Sequence, residues 1–312
     1  MRTESELVSP QQIPSRRGTS ARWWGLGLIA LSGTHFFVDW LATIINPLWP
    51  TMEARFDTGD GGLLWVYVLW SCSTSFSQFL FGYLGDRISL RWTLWGGPLI
   101  ALICLSFVGT VSSPVMLAVL MVTSGLAIAA FHPEGAAAAG GLRPQSRSRV
   151  MAIFALSGYI GQSIGPNYSG WIATRWDIES LVMTLAWGLP LLGVLIIGLR
   201  EIPLNLGNDN TPKPQPDQSA KVVNAPTTGH ERRVLGLILA IGVLRILPAL
   251  GVPLALAYQW GGEDQNPASI GFVQSMFMAG IGVGGMICAA FVRPVHERRL
   301  IWAMPLLATP FL

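Results

Sequence analysis

Charge is scarce in this chain. Only 12% of its 312 residues are Asp, Glu, Lys or Arg, against 51% hydrophobic ones. Soluble globular domains carry about twice that share of charge, so the composition places the chain among polytopic membrane proteins. Cysteine is scarce as well. Cys72, Cys104 and Cys288 each fall inside an apolar run with no disulfide or metal-ligand spacing between them, which excludes a disulfide framework and a cysteine metal site. The first apolar run, 23–50, is too long for a cleaved signal peptide and lacks a small-residue cleavage site. The pI near 9.0 would suit a nucleic-acid partner, but the placement of the basic residues points elsewhere.

What the chain does have is a succession of membrane-length apolar runs. They cover 23–50, 63–84, 92–110, 114–142, 150–174, 180–199, 234–259 and 269–291, and a ninth begins at Leu300. A bilayer core of about 30 Å needs about 20 apolar helical residues, so each run is a candidate span. Residues 1–22 are polar and read as a tail. Residues 200–233 are polar, with five prolines between Pro203 and Pro226, and read as a linker. With the N-terminus inside, seventeen of the twenty basic residues fall on the inner side, only Arg55 and Arg175 on the outer side, and Arg245 within a run. The bias predicts a cytoplasmic N-terminus and a cytoplasmic linker. It also accounts for the basic pI without nucleic acid.

Two short patterns lack the context that would give them chemistry. Gly161-Gln162-Ser163-Ile164-Gly165 spells a hydrolase nucleophile elbow, but no histidine lies in any later run to serve as its base. Gly280-Ile281-Gly282-Val283-Gly284-Gly285 spells a dinucleotide fingerprint inside an apolar run, where no strand precedes it. Both read as helix-packing surfaces, since glycines four apart let helices approach closely. No enzyme activity is expected.

The ionisable residues inside the runs are the candidate functional groups, because burying one in a membrane is costly without a cavity or partner. His35 and Asp39 lie four apart, hence on one helix face, and Asp39 is roughly 24 Å in from Trp23. His132 and Glu134 flank Pro133 in the fourth run, with Glu134 about 12 Å in from Leu142. Arg245 is roughly 17 Å in from Val234, a depth between those of the two carboxylates.

Phe131-His132-Pro133-Glu134-Gly135-Ala136 resembles the fourth-helix signature of the fosmidomycin-resistance-like branch of the major facilitator superfamily. Gly82-Tyr83-Leu84-Gly85-Asp86-Arg87-Ile88-Ser89-Leu90-Arg91 is similar to the superfamily's loop pattern G-x-L-A-D-R-x-G-R-R. Gly82, Leu84, Asp86, Arg87 and Arg91 fit it, while Gly85, Ser89 and Leu90 depart. Gly161, Gly165 and Pro166 resemble the fifth-helix G-x-x-x-G-P motif associated with antiporters. The resemblance implies an all-α polytopic bundle: a complete six-helix half over 23–199, the linker 200–233, and a partial second half over 234–312 with two helices and the start of a third. Because the sequence stops at Leu312, a fragment or a shortened product is expected. The implied function is secondary transport across the cytoplasmic membrane, proton-coupled efflux of a small polar or drug-like solute. As ionisable residues inside membrane runs, His35, Asp39, His132, Glu134 and Arg245 are expected to handle solute and proton, while the resemblance implies that the loop and fifth-helix motifs govern conformational change. No cofactor, metal, nucleic acid or obligate protein partner is implied; the proton is the coupling ion, and the solute and the lipid bilayer are the partners. Solute–proton symport, or a non-transporting remnant or membrane sensor, are the alternatives.

Overall fold

The computed structural model describes residues 20–143, 146–200, 229–260 and 266–291. Among them are nine α-helices and no strand: α1 (Ser20–Thr43), α2 (Trp49–Phe56), α3 (Leu64–Gly85), α4 (Thr93–Ser106), α5 (Pro114–Leu142), α6 (Arg147–Trp176), α7 (Thr184–Arg200), α8 (Gly229–Trp260) and α9 (Pro267–Phe291). The ninth apolar run, the N-terminal tail and most of the linker lie outside the described residues.

Local chemistry sets several of these boundaries. The Ser113 hydroxyl accepts from Met116 N at 3.3 Å and Pro114 occupies the first helical position, so α5 starts where its apolar run starts. The first run is longer than expected and broken. Pro47 and Pro50 lack the N–H groups a continuous helix needs, so α1 gives way to a 3-10 turn at Asn46–Leu48 and resumes as α2. α2 ends at Asp57, whose left-handed φ of 53° caps it. α8 begins at Gly229, inside the stretch read as linker.

Five segments among the described residues are long and apolar enough to cross a membrane: Gly25–Phe56, Thr93–Thr110, Pro114–Leu142, Ile178–Arg200 and Pro267–Ile287. α3 and α6 match them in length, but the serines and Gln78 of α3, and Gln162, Asn167 and Ser169 of α6, lower their apolarity. Large apolar side chains such as Ile29, Phe76, Phe79, Val194 and Ile197 are exposed. On a soluble protein they would form an adhesive surface; on a membrane bundle they face lipid.

Lipid offers no hydrophobic drive for helix association, so close packing and hydrogen bonds must hold the bundle together. α6 is its axis, packed on α1 along one side and on α9 along the other. Gly161 sits on the backbone of Phe36 and Trp40, and Gly165 on Trp40 and Thr43. A methyl group at either position would overlap α1. Pro166 deprives the Gln162 carbonyl of its helical partner, and the Thr43 hydroxyl of α1 lies 3.3 Å from it, with the Asp39 and Trp40 carbonyls also within its reach. Farther along, Gly170 meets Pro267 and Gly271 meets Pro166, which brings the backbones of α6 and α9 together. This seam joins the first helix group, α1–α7, to α8 and α9.

Candidate functional site

Three helices deliver the polar cluster. α1 contributes His35 and Asp39, α5 contributes His132, and α6 contributes Gln162 and the backbone of Phe154. Asp39 is 5% exposed and His35 8%. The Asp39 carboxylate turns one oxygen to each histidine: Oδ2 lies 3.5 Å from His35 Nε2, and Oδ1 lies 3.4 Å from His132 Nε2. Gln162 Nε2 donates to Oδ2 at 2.8 Å. The two imidazoles stand edge to face with centroids 5.3 Å apart, and His35 stacks on Phe154 at 4.1 Å.

The tautomer of His35 follows from its partner. Nδ1 lies 2.7 Å from the Phe154 carbonyl, which can only accept, so Nδ1 carries a proton. In a neutral ring Nε2 is then a lone pair pointing at the lone pairs of Asp39. Two acceptors 3.5 Å apart in a buried site repel. The contact becomes attractive when a proton sits on either of them.

Among the described residues, these three side chains are also the set that could hold a metal ion, with donor atoms within 4.8 Å of one another. The fit to one ion is poor. Nitrogen and oxygen donors converge on a zinc ion at about 2.0–2.2 Å. Here the carboxylate splays an oxygen to each ring, and Gln162 occupies one of those oxygens.

Gly158 permits this packing. A Cβ there would press into Asp39 Oδ2 and the His35 ring. It lies one helical turn before Gly161 and extends the row of small residues. Gln162 and Gly158 were not singled out from the sequence as site residues; a polar residue inside an apolar glycine row was the available signal.

Glu134 is not in the cluster. Its Oε1 lies against Gly85 of α3, 3.1 Å from where a Cβ would stand. This gives a reason for one departure from the superfamily loop pattern: the alanine expected at position 85 would crowd Glu134. Gly82 faces Pro133 in the same contact. Asp86 caps α3 from an exposed position, with its N–H donating to Gly82 O at 3.1 Å. Arg87 lies over the Tyr83 ring at 3.7 Å, and Arg91 is half-buried. Arg245 is on α8, and its side chain lies outside the described residues. Ser163 is a half-buried mid-helix residue whose hydroxyl donates to Ile160 O at 2.8 Å, so it occupies no strand–helix elbow.

The described residues form an all-helical bundle with membrane-length apolar helices and a buried polar cluster beside a central helix seam. The chain belongs to the Major Facilitator Superfamily, whose family model matches residues 31–312. Over 144 residues it is 27% identical to the fosmidomycin resistance protein of Escherichia coli (strain K12), a match covering 45% of this chain and 34% of that protein. Its fold is similar, at a TM-score of 0.62 and 15% identity, to the crystal structure of a bacterial homolog to the human lysosomal transporter Spinster in an inward-facing and unoccupied conformation. That match covers 86% of this chain and 63% of the other. The chain thus spans about a third of the curated relative and under two thirds of the solved one. It is a multi-pass membrane protein of a transporter family.

Proposed function

We propose that this chain is a proton-linked secondary transporter that exports a small polar or drug-like solute by alternating access. The observation that carries the reading is the buried Asp39 carboxylate shared between His35 and His132, with His35 Nδ1 held by the Phe154 carbonyl. A group that needs a proton to settle its neighbours binds that proton in one state of the cycle and releases it in another. Similarity to the fosmidomycin resistance protein supports export as the direction. The basic-residue bias supports an N-terminus on the cytoplasmic side of the cell membrane. Arg245 is a candidate counter-charge from the second group of helices, because an arginine stays charged and needs a partner in the membrane. Glu134, Asp86, Arg87 and Arg91 gather at the inner end, where they bias the conformational change.

The test is fosmidomycin flux into proteoliposomes under an imposed pH gradient, using the chain and its Asp39→Asn and Glu134→Gln variants separately. The reading predicts a gradient-driven flux that Asp39→Asn uncouples and Glu134→Gln only slows. Gradient-driven flux at the parental level in Asp39→Asn removes the cluster from the mechanism.

A further inference from the structure

At the end of the bundle opposite the Arg87 and Arg143 loops, α8 meets the first helix group through α2 and the Asn46–Leu48 turn. Gln274 of α9 is the residue at the junction. It is 0% exposed, and its Nε2 donates to Asn46 O at 3.2 Å and to Pro253 O of α8 at 2.6 Å. Both neighbours are carbonyl oxygens, so the amide can face them only with its nitrogen. The Asn46 carbonyl needs this donor, because Pro50 lies four residues on and has no N–H to offer it. One side chain thus ties together α8, α9 and the break in the first span. Where α8 meets α2, Tyr258 lies close enough to Glu53 for the two to interact electrostatically.

We propose that Gln274 is the positioning residue that holds the outer end of the bundle shut, a role that rests on the alternating-access reading above. The bond count suits a reversible closure. Gln274 supplies two donors to buried carbonyls, yet its own Oε1 is buried without a partner. Opening the end breaks the bond to Asn46 O, while the bond to Pro253 O stays within the α8–α9 pair, and it lets water reach the Gln274 oxygen and the Asn46 carbonyl. The gain and the loss oppose each other, which keeps the two states close in free energy. At its far end α8 is open: nothing lies within 4 Å of a Cβ built on Gly236, and Val234 and Leu237 are exposed. Among the described residues, the second helix group is therefore closed on the first at one end only.

The experiment is the rate of maleimide labelling of Ala257→Cys, a buried α8 position next to Tyr258, in purified chain in lipid nanodiscs without solute. Cys72, Cys104 and Cys288 are first replaced by serine. Both faces are accessible in a nanodisc, and no transport is needed, so failure of the flux experiment leaves this one intact. Gln274→Met keeps the volume and removes both donors; labelling should rise roughly tenfold, as expected for loss of buried hydrogen bonds. Ala101→Cys, buried inside the first group, should keep its parental rate, which separates an opened end from a loosened fold. Parental labelling of Ala257→Cys in Gln274→Met overturns the proposal, as does an equal rise at Ala101→Cys. Should Gln274→Met fail to insert, Tyr258→Phe decides by the same criteria, since it deletes one hydroxyl from the same closure.

Discussion

Asp39, near the middle of the first membrane span, and Glu53, near its end, are both buried carboxylates, and their surroundings differ in kind. Glu53 is 2% exposed and accepts from the backbone N–H groups of Gly61 and Leu63 at 3.0 and 2.9 Å. Those backbone donors lie just ahead of α3 and cannot change their protonation, and the nearby Tyr258 is a phenol, a group that stays protonated near neutral pH. Asp39 faces two imidazoles and an amide. Two of its three partners are imidazoles, the side-chain type most often used to carry a proton. Burial alone therefore does not mark a coupling site in a membrane helix. What marks it is whether the partners are fixed dipoles or groups that titrate.

Paired substitutions break this comparison most sharply. Glu53→Ala leaves the buried Leu63 N–H without an acceptor, at about 1–3 kcal/mol, and the more exposed Gly61 N–H at about 1 kcal/mol or less. Its unfolding free energy in detergent should fall by about 1–4 kcal/mol. Asp39→Asn keeps the shape and an acceptor, so its stability should change by less than about 1 kcal/mol while pH-driven flux falls about tenfold or more. Equal stability losses in the two variants would show that the carboxylates play the same part.

Gly161→Ala comes next in size. The added methyl would overlap the Phe36 carbonyl, and overpacking of this kind costs about 1–3 kcal/mol. The α1–α6 contact that aligns Asp39 with Gln162 should loosen, lowering both melting temperature and flux. Retention of both would show that the helices separate there without consequence. Gly85→Ala restores the superfamily loop pattern and should have the smallest effect, under about 0.5 kcal/mol, because the group it crowds is the flexible end of Glu134. A larger loss would make the Gly85–Glu134 contact structural.

Much of the bundle was legible in the sequence where termination chemistry was explicit. Ser113 and Pro114 open α5, and its span matches the apolar run end to end. The break between α1 and α2 was written in Pro47 and Pro50, but a hydropathy reading passes over it because the flanking residues are apolar. The site was half legible. His35 and Asp39 share a face by their spacing, and the structure brings His132 to them. Grouping Glu134 with Asp39 came from depth along the helix, which carries no information on direction around it. Residues two apart on a helix point about 200° apart. His132 turned toward α1 therefore sends Glu134 toward α3, where Gly85 makes room for it. Gln162 and the Phe154 carbonyl depend on the register of α6 against α1, which the glycine row fixes and no local pattern reveals.

The shared proton is the central claim, and histidine nitrogen NMR on the purified chain in nanodiscs tests it directly. With nitrogen-15 histidine and assignments from single His→Gln variants, the account predicts that His35 Nδ1 stays protonated across the titration while Nε2 of His35 and of His132 change together. That joint step should move when Asp39 becomes Asn. Two rings that titrate independently, at positions unchanged in Asp39→Asn, would contradict it.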